Sequence, residues 1–158
     1  MKQSNIDGVI SSSVYNGDGL RMSHTVSDQP TSYVWDAAGL PVILQDSQGN
    51  NYVYGLDLIS RTDSGGVQGY YLYDGLGSTT DLADGSGNVT ASYGYDVFGE
   101  LRNGSPGASD RLFTGEQRDA DSGLYYLRAR YYDPSVGRFP LAGPAAGAGT
   151  LHNSRRAC

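Results

Sequence analysis

The sequence predicts an all-β fold built from stacked antiparallel β-hairpins. Its 158 residues include 23 glycines and 13 tyrosines, a composition that suits a sheet with many turns, because aromatic rings favour strands and glycine favours turns. Glycine or serine interrupts nearly every window that is long enough for three helical turns. An aromatic residue four positions before a glycine also recurs about every twenty residues. Such a period indicates one small structural unit stacked on the next.

The repeated motif is an aromatic residue, usually followed by aspartate, with glycine three positions after the aspartate. The leading aromatic residues are spaced by 20, 19, 19 and 22 positions, and the third copy, Tyr54–Leu58, is degenerate. Aspartate can bond the backbone ahead of it and glycine can adopt a positive φ, so the motif predicts a tight turn. The clearest turn residues are Trp35, Asp36 and Gly39, then Tyr73, Asp74 and Gly77, then Tyr95, Asp96 and Gly99.

Each turn is expected to join two short strands. In four copies a second aromatic residue stands two positions before the first: Tyr33, Tyr52, Tyr71 and Tyr93. Period two places both rings of a pair on one face of a strand. Further turns begin at Asp46, Asp63 and Asp84, so each unit is interpreted as strand, turn, strand, turn. We expect the tyrosine pairs of successive units to form a ladder with steps of about 4.8 Å.

Charge and composition exclude several classes of function. A net charge of −6 disfavours a nucleic-acid partner, because such binding depends on lysine and arginine neutralising phosphates. No apolar run has the length of a membrane span, and residues 1–10 lack the apolar region of a signal peptide. The lone cysteine, Cys158, has no intrachain disulfide partner, and the two histidines, His24 and His152, are isolated. We therefore predict no metal and no other cofactor.

The repeats and the segment 111–139, RLFTGEQRDADSGLYYLRARYYDPSVGRF, resemble the rearrangement-hotspot (RHS), or tyrosine-aspartate repeat, family. That family includes the C components of insecticidal toxin complexes and the teneurins, and the segment is similar to its repeat-associated core domain. The resemblance divides the chain into a partial repeat (1–30), hairpin repeats (31–110), the core signature (111–139) and a divergent tail (140–158). The signature residues are Phe113, Gly115, Arg118, Asp119, Gly123, Leu124, Tyr125, Tyr126, Arg128, Arg130, Tyr131, Tyr132, Asp133, Pro134, Gly137, Arg138 and Phe139.

The resemblance implies a role in containment. Family repeats wind as a spiralling β-ribbon into a hollow shell, the core domain seals one end, and a variable toxin domain that follows the core is held inside. We therefore expect this chain to be a structural fragment of such a shell, without its self-cleavage segment and C-terminal toxin. The partners implied for the full-length protein are the remainder of the shell, the encapsulated toxin domain and the secretion machinery. Full-length members are exported or lie at the cell surface, whereas this chain, which shows no signal peptide, is expected to be cytoplasmic if it is expressed alone.

Two other functions stay open on the sequence. In many family members the core domain cuts the chain after itself through an aspartic-protease-like site, for which Asp119, Asp121 and Asp133 are the candidates. Asp63 and Asp121 each begin an Asp-Ser-Gly triplet, but both triplets lie in polar contexts that favour turns. The alternative is an adhesion or carbohydrate-binding module, which requires a row of solvent-facing tyrosines. We expect no enzymatic activity.

The dense aromatic segment from Tyr125 to Phe139 is interpreted as a structural clamp. Alternation predicts that Arg128 and Arg130 share one strand face and stack on neighbouring tyrosines, and Asp133–Gly137 is expected to form a turn one residue longer than the others. Residues 140–158 lack Asp and Glu. Codons for Leu-Ala-Gly-Pro, shifted by one base, can encode the Ser-Pro-Asp-Pro with which the family continues, so we expect a frameshifted tail and no self-cleavage. A divergent Gly/Ala tail is the alternative.

Overall fold

The computed structural model describes residues 2–6, 9–104 and 107–140, and the predicted all-β fold is confirmed. Ten strands form one antiparallel sheet whose spatial order equals the chain order, as stacked hairpins require. Among the described residues, no helix has the length and apolar character needed to cross a membrane. The ten strands are β1 (Lys2–Ile6), β2 (Val9–Tyr15), β3 (Arg21–Val26), β4 (Gln29–Asp36), β5 (Val42–Asp46), β6 (Asn51–Tyr54), β7 (Leu58–Thr62), β8 (Gln68–Tyr73), β9 (Thr79–Ala83) and β10 (Val89–Ser92).

The predicted turns share one hydrogen-bond pattern. The Asp74 Oδ1 atom accepts the amides of Leu76 and Ser78 at 2.9 and 2.8 Å, and Gly77, at φ +80°, donates its amide to the Asp74 carbonyl. The left-handed backbone at this position explains the glycine. The same pattern begins at Asn16, Asp46, Asp63, Asp84 and Asp96.

One predicted turn departs from this pattern. Asp36 accepts the amide of Ala38 at 2.9 Å, but Gly39 does not adopt the positive φ of its counterparts. The Trp35 motif is therefore a looser turn than the motifs led by Tyr73 and Tyr95. The Asp63-Ser-Gly triplet, in contrast, forms a regular turn of the shared type.

A β-bulge occurs at the same point of five hairpins, and the sequence did not predict it. Val53 pairs with Ser60 but Tyr54 pairs with Leu58, which leaves Ile59 as an extra residue. A bulge bends its strand and increases the local right-handed twist. Because the bulges recur beside each leading aromatic residue, they add curvature in every repeat. The extra residues are Met22, Leu44, Ile59, Thr80 and Arg102.

The tyrosine pairs share one face of the sheet, as predicted, and form the core. Four inner tyrosines are only 6–7% exposed, and they pack with Ile43, Leu58 and Leu82. The predicted ladder step of 4.8 Å is wrong, because the tyrosines of successive units lie on every second strand, β4, β6 and β8. The step is therefore about twice the strand spacing, and aliphatic side chains from the strands between fill the gaps. The four inner tyrosines are Tyr33, Tyr52, Tyr71 and Tyr93.

A second layer covers this tyrosine face. It contains the hairpin β11 (Gly94–Tyr95) and β12 (Leu101–Asn103), a 3₁₀ turn (Phe113–Gly115), and a small sheet of β13 (Gln117–Arg118), β14 (Tyr125–Leu127) and β15 (Arg130–Tyr132). We call residues 111–139 the core segment. Leu112 and Tyr125, each 1% exposed, pack against the tyrosines of the large sheet. The Leu112 carbonyl also accepts the Thr79 amide at 3.0 Å, so backbone bonds join the two layers.

The opposite face of the large sheet is apolar and exposed. Four of the five leading aromatic residues are preceded by an aliphatic one, and the exposed fractions of these four side chains range from 39% at Val14 to 55% at Val34. The predicted tail, 140–158, lies outside the described residues except for Pro140.

A buried arginine-carboxylate clamp as the candidate functional site

The centre of the candidate site is Arg21, the first residue of β3, which is 0% exposed. Its Nη1 and Nη2 atoms donate to the Asp119 Oδ2 and Oδ1 atoms at 2.6 and 2.8 Å, a bidentate pair. Burial alone would lower the pKa of Arg21, but the attraction and hydrogen bonds of Asp119 outweigh burial and raise that pKa above its ordinary value. The guanidinium therefore stays charged, and the pair connects the large sheet to the core segment.

The remaining contacts of Arg21 come from polar and aromatic residues of the core segment and from β4. Its Nη2 donates to Gln117 Oε1 at 2.8 Å and its Nη1 to the Tyr131 hydroxyl at 3.1 Å. Its guanidinium carbon lies 4.3 Å from the centre of the Tyr126 ring, close enough for a cation–π contact. The Arg21 amide also donates to the Tyr126 hydroxyl, and Trp35 Nε1 donates to the Arg21 carbonyl, both at 2.9 Å.

An arginine-tyrosine clamp therefore exists, but the sequence-based assignment of its arginines was wrong. Arg128 has φ +56° and lies in the turn between β14 and β15, so it does not share a strand face with Arg130. Arg128 instead donates to Glu116 Oε1 at 2.8 Å and to the Pro41 carbonyl at 3.0 Å. Arg130 is exposed, and its guanidinium carbon lies 4.3 Å from the centre of the Phe139 ring. The alternation argument failed because a two-residue turn interrupts the strand.

Asp121 lies beside the clamp. Its Oδ1 atom is 3.1 Å from His24 Nε2, and His24 Nδ1 is 2.9 Å from the Ser13 hydroxyl. Burial alone would raise the pKa of Asp121, but hydrogen bonds from His24 and Ser11 lower it to about 2. The carboxylate therefore stays ionised in all but strongly acidic solution.

Two of the three candidate catalytic aspartates are brought together. One oxygen each from Asp119 and Asp121 and one nitrogen of His24 lie within 4.8 Å of one another, and this is the one group of three potential metal ligands among the described residues. Both Asp119 oxygens, however, accept hydrogen bonds from Arg21, so a cation would compete with a guanidinium already in place. The prediction of no metal is not tested by this geometry.

The third candidate, Asp133, serves a turn instead. Its Oδ1 accepts the Ser135 amide and hydroxyl at 3.0 and 2.7 Å. Its amide donates to the Arg138 carbonyl at 2.8 Å, and Gly137 has φ +64°. The expected longer turn is confirmed, because this bond spans five residues where the shorter turns span four.

The other signature residues contribute ring packing, turn geometry and backbone hydrogen bonds. Their rings pack in tilted pairs: Phe113 lies 6.0 Å from Tyr125, and Tyr132 lies 5.4 Å from Phe139, between ring centres. Gly115 and Gly123 adopt φ +70° and +74°. The Leu124 carbonyl accepts the Asp119 amide at 2.8 Å, and Pro134 is buried. The Arg118 Nε atom is buried, and no residue in the described part of the chain offers it an acceptor.

Comparison with known proteins places the molecule in a class. No family model matches the sequence. The chain is 34% identical over 145 residues to the tRNA3(Ser)-specific nuclease WapA of Bacillus spizizenii, which covers 84% of the chain and 6% of WapA. It is 38% identical over 82 residues to toxin subunit YenC1 of Yersinia entomophaga, which covers 48% of the chain and 8% of YenC1. The chain thus spans less than a tenth of the length of these relatives.

The solved structures agree on the fold. The Tc holotoxin pore of Photorhabdus luminescens matches with a TM-score of 0.65 and 23% identity, over 86% of this chain and 8% of that one. The crystal structure of TcdB2-TccC3-Cdc42 matches with a TM-score of 0.63 and 21% identity, again over 86% of this chain and 8% of that one. Stacked hairpins covered by a second layer thus define a β-hairpin repeat protein whose fold resembles that of the solved Tc toxin structures. The chain belongs to the rearrangement-hotspot, or tyrosine-aspartate repeat, family.

Proposed function

We propose that this chain forms part of the wall of an RHS-type toxin-encapsulating shell and that its core segment seals one end. The observation that carries the proposal is the burial of the tyrosine face beneath the core segment, where Leu112 and Tyr125 close over the large sheet. An antiparallel sheet can have one face packed against a core and the other exposed to solvent, as the wall of a shell requires. The recurrent bulges supply the curvature that a closed ribbon needs.

The same burial favours a wall over a carbohydrate-binding module. A sugar-binding surface requires aromatic rings that solvent can reach, whereas the inner tyrosines are 6–7% exposed. In the parent protein we propose three partners, namely the remainder of the shell, a toxin domain that follows the core segment, and secretion machinery, and we propose that the parent is exported. No role in nucleic-acid binding is proposed for this region, because the net charge is −6.

A chimera tests enclosure. The 145-residue region of Bacillus spizizenii WapA that matches this chain is replaced by the chain itself, and trypsin digestion of the downstream WapA polypeptide is followed in the parent and the chimera. We expect equal protection in both proteins and rapid digestion in a chimera that lacks residues 111–139. Equal digestion rates in all three proteins would contradict enclosure.

We also propose that the described region acts without catalysis, and self-processing is the competing candidate. The proximity of Asp119 and Asp121 favours self-processing, since aspartic chemistry needs two carboxylates that share a proton. Both Asp119 oxygens are already bound by Arg21, and the pKa of Asp121 is low, so a proton shared between the two carboxylates is disfavoured.

Intact-mass measurement distinguishes these two candidates. The purified chain is incubated between pH 3 and 8, together with the Asp119→Asn and Asp121→Asn variants. We expect one unchanged mass for every sample. Discrete fragments that either substitution abolishes would establish self-processing.

A further inference from the structure

Arg111 is a second buried arginine under the large sheet, and within the described part of the chain its one ion pair is long. The residue is 7% exposed. Its nearest carboxylate oxygen, Asp110 Oδ1, lies 3.8 Å from Nε, beyond hydrogen-bonding distance. Its guanidinium carbon lies 5.4 Å from the centre of the Tyr52 ring, and its Nε and Nη2 atoms are buried without an acceptor among the described residues. Arg111 therefore differs from Arg21, which has a bidentate partner.

The neighbouring carboxylates are held by other groups. Asp110 Oδ2 accepts a hydrogen bond from Gln117 Nε2 at 2.8 Å, and Gln117 Oε1 is bound in turn by Arg21 at 2.8 Å. Glu116 pairs with Arg128 at 2.8 Å. Rotating either carboxylate toward Arg111 would break an existing bond. A buried charge without hydrogen-bond acceptors is strongly unfavourable, because it has lost its hydration without compensation. Binding of an external partner to Arg111 would therefore be favoured.

A cavity beside Arg111 can hold such a partner. It lies between the large sheet and the core segment and has a volume of about 50 Å³. Its lining includes Arg111, the ion pair of Arg128 with Glu116, and the rings of Trp35, Tyr54 and Tyr126. One water needs roughly 10–15 Å³ by this measure, so the cavity admits a few waters or one small planar group. The aromatic walls reduce the local dielectric and strengthen any ion pair that forms there.

We propose that this cavity is a carboxylate-binding site in which the Arg111 guanidinium is the principal donor. A guanidinium presents its donors in a planar fork that matches the two oxygens of a carboxylate, and the cavity is too small for a bulkier anion. The carboxylate could be a free ion or could belong to a polypeptide that contacts this seam. This inference does not depend on the proposed shell function, because it concerns binding by the isolated chain.

Formate is the probe for the free ion. The full chain, labelled with ¹⁵N, is titrated with sodium formate and, at equal ionic strength, with sodium chloride, while the arginine Nε–H signals are recorded by NMR. We expect a saturable formate-specific shift of the Arg111 signal in the millimolar range. Arg111→Met should weaken formate binding by about tenfold or more, since charge-assisted hydrogen bonds are lost. Arg102→Met, which removes an exposed arginine, is the matched control and should leave binding unchanged.

A second variant distinguishes an Arg111 that binds carboxylates from an Arg111 that only stabilises the fold. Glu116→Gln removes a negative charge from the cavity wall and frees Arg128 from its ion pair, so formate should bind about fivefold more tightly. A short peptide with a free C-terminal carboxylate, compared with its amidated form, tests the polypeptide source. Equal responses to formate and chloride, or unchanged formate binding in Glu116→Gln, would mean that the cavity holds only water and would overturn the proposal.

Discussion

Asp119→Asn is the substitution that most directly tests the clamp. It removes the charge that faces Arg21 while it preserves the shape of the side chain. The Nη1–Oδ2 and Nη2–Oδ1 bonds of 2.6 and 2.8 Å are replaced by hydrogen bonds to a single uncharged amide oxygen, because the asparagine amide nitrogen is itself a donor. Arg21, with 0% exposure, then keeps a buried charge without a counter-ion. Breaking a buried pair from one side costs about 3–5 kcal/mol, a large part of the stability of a small domain.

Urea unfolding measures this cost. The chain has one tryptophan, and Trp35 Nε1 donates to the Arg21 carbonyl at 2.9 Å, so its fluorescence reports on the clamp itself. Asp18→Asn, at an exposed position, is the matched control and should change the free energy of unfolding by less than about 0.5 kcal/mol. A cost below about 1 kcal/mol for Asp119→Asn would show that the pair does not hold the two layers together. Joint replacement of Arg21 by Met and Asp119 by Leu should be less harmful than either single change.

The remaining predictions concern pH and turn geometry. Asp121 has a folded-state pKa of about 2, below the unfolded value of about 3.9, so its contribution is complete above that value and is lost as pH falls toward 2. In urea titrations between pH 5 and 2, the free energy of unfolding should therefore fall by about 1 kcal/mol more for the native chain than for Asp121→Asn, after allowance for solvent screening. Parallel curves would refute this. Gly99→Ala would drive a Cβ into the Phe113 ring at φ +87°, whereas Gly77→Ala at φ +80° meets open space. Thermal unfolding should show about 1–2 kcal/mol lost at Gly77 and about 1–3 kcal/mol more at Gly99, while equal losses would exclude the Phe113 contact as the cause.

The repeat could be predicted from sequence because its causes are local. An aspartate and a glycine three positions apart determine the turn through bonds that span at most four residues, as at Asp74 and Gly77. The tyrosine pairs could be placed on one face for the same reason, because residues two positions apart on a strand face the same side. The ladder spacing and the bulges depend on how neighbouring strands pair, for example Tyr54 with Leu58. No single motif encodes that register, so both features became visible only in the structure.

The site was only partly predictable because its partners are distant in sequence. The signature drew attention to Asp119 and Tyr126, and the structure places both around one guanidinium. The guanidinium belongs to Arg21, 98 residues before Asp119, in a strand whose sequence, RMSHTV, has no signal for a buried charge. The one available hint was chemical: a buried carboxylate among tyrosines needs a cation. Arg128 and Arg130, which stand among the tyrosines of the signature, were chosen because the turn at Arg128 was not recognised.

The two buried arginines indicate different roles for two parts of the same seam. Both Nη atoms of Arg21 are bound within the chain, by Asp119, Gln117 and Tyr131, so its network can stabilise the contact between sheet and core segment without any ligand. Arg111 lies one link further along the same network, through Gln117 and Asp110, and its charge is compensated only at 3.8 Å. A ligand at Arg111 would supply the hydrogen-bond acceptors that the described residues do not offer to its Nε and Nη2 atoms. A variant that weakens the Arg21 clamp should therefore also loosen Asp110 and reduce formate binding, and unaltered binding in Gln117→Leu would show that the two arginines act independently.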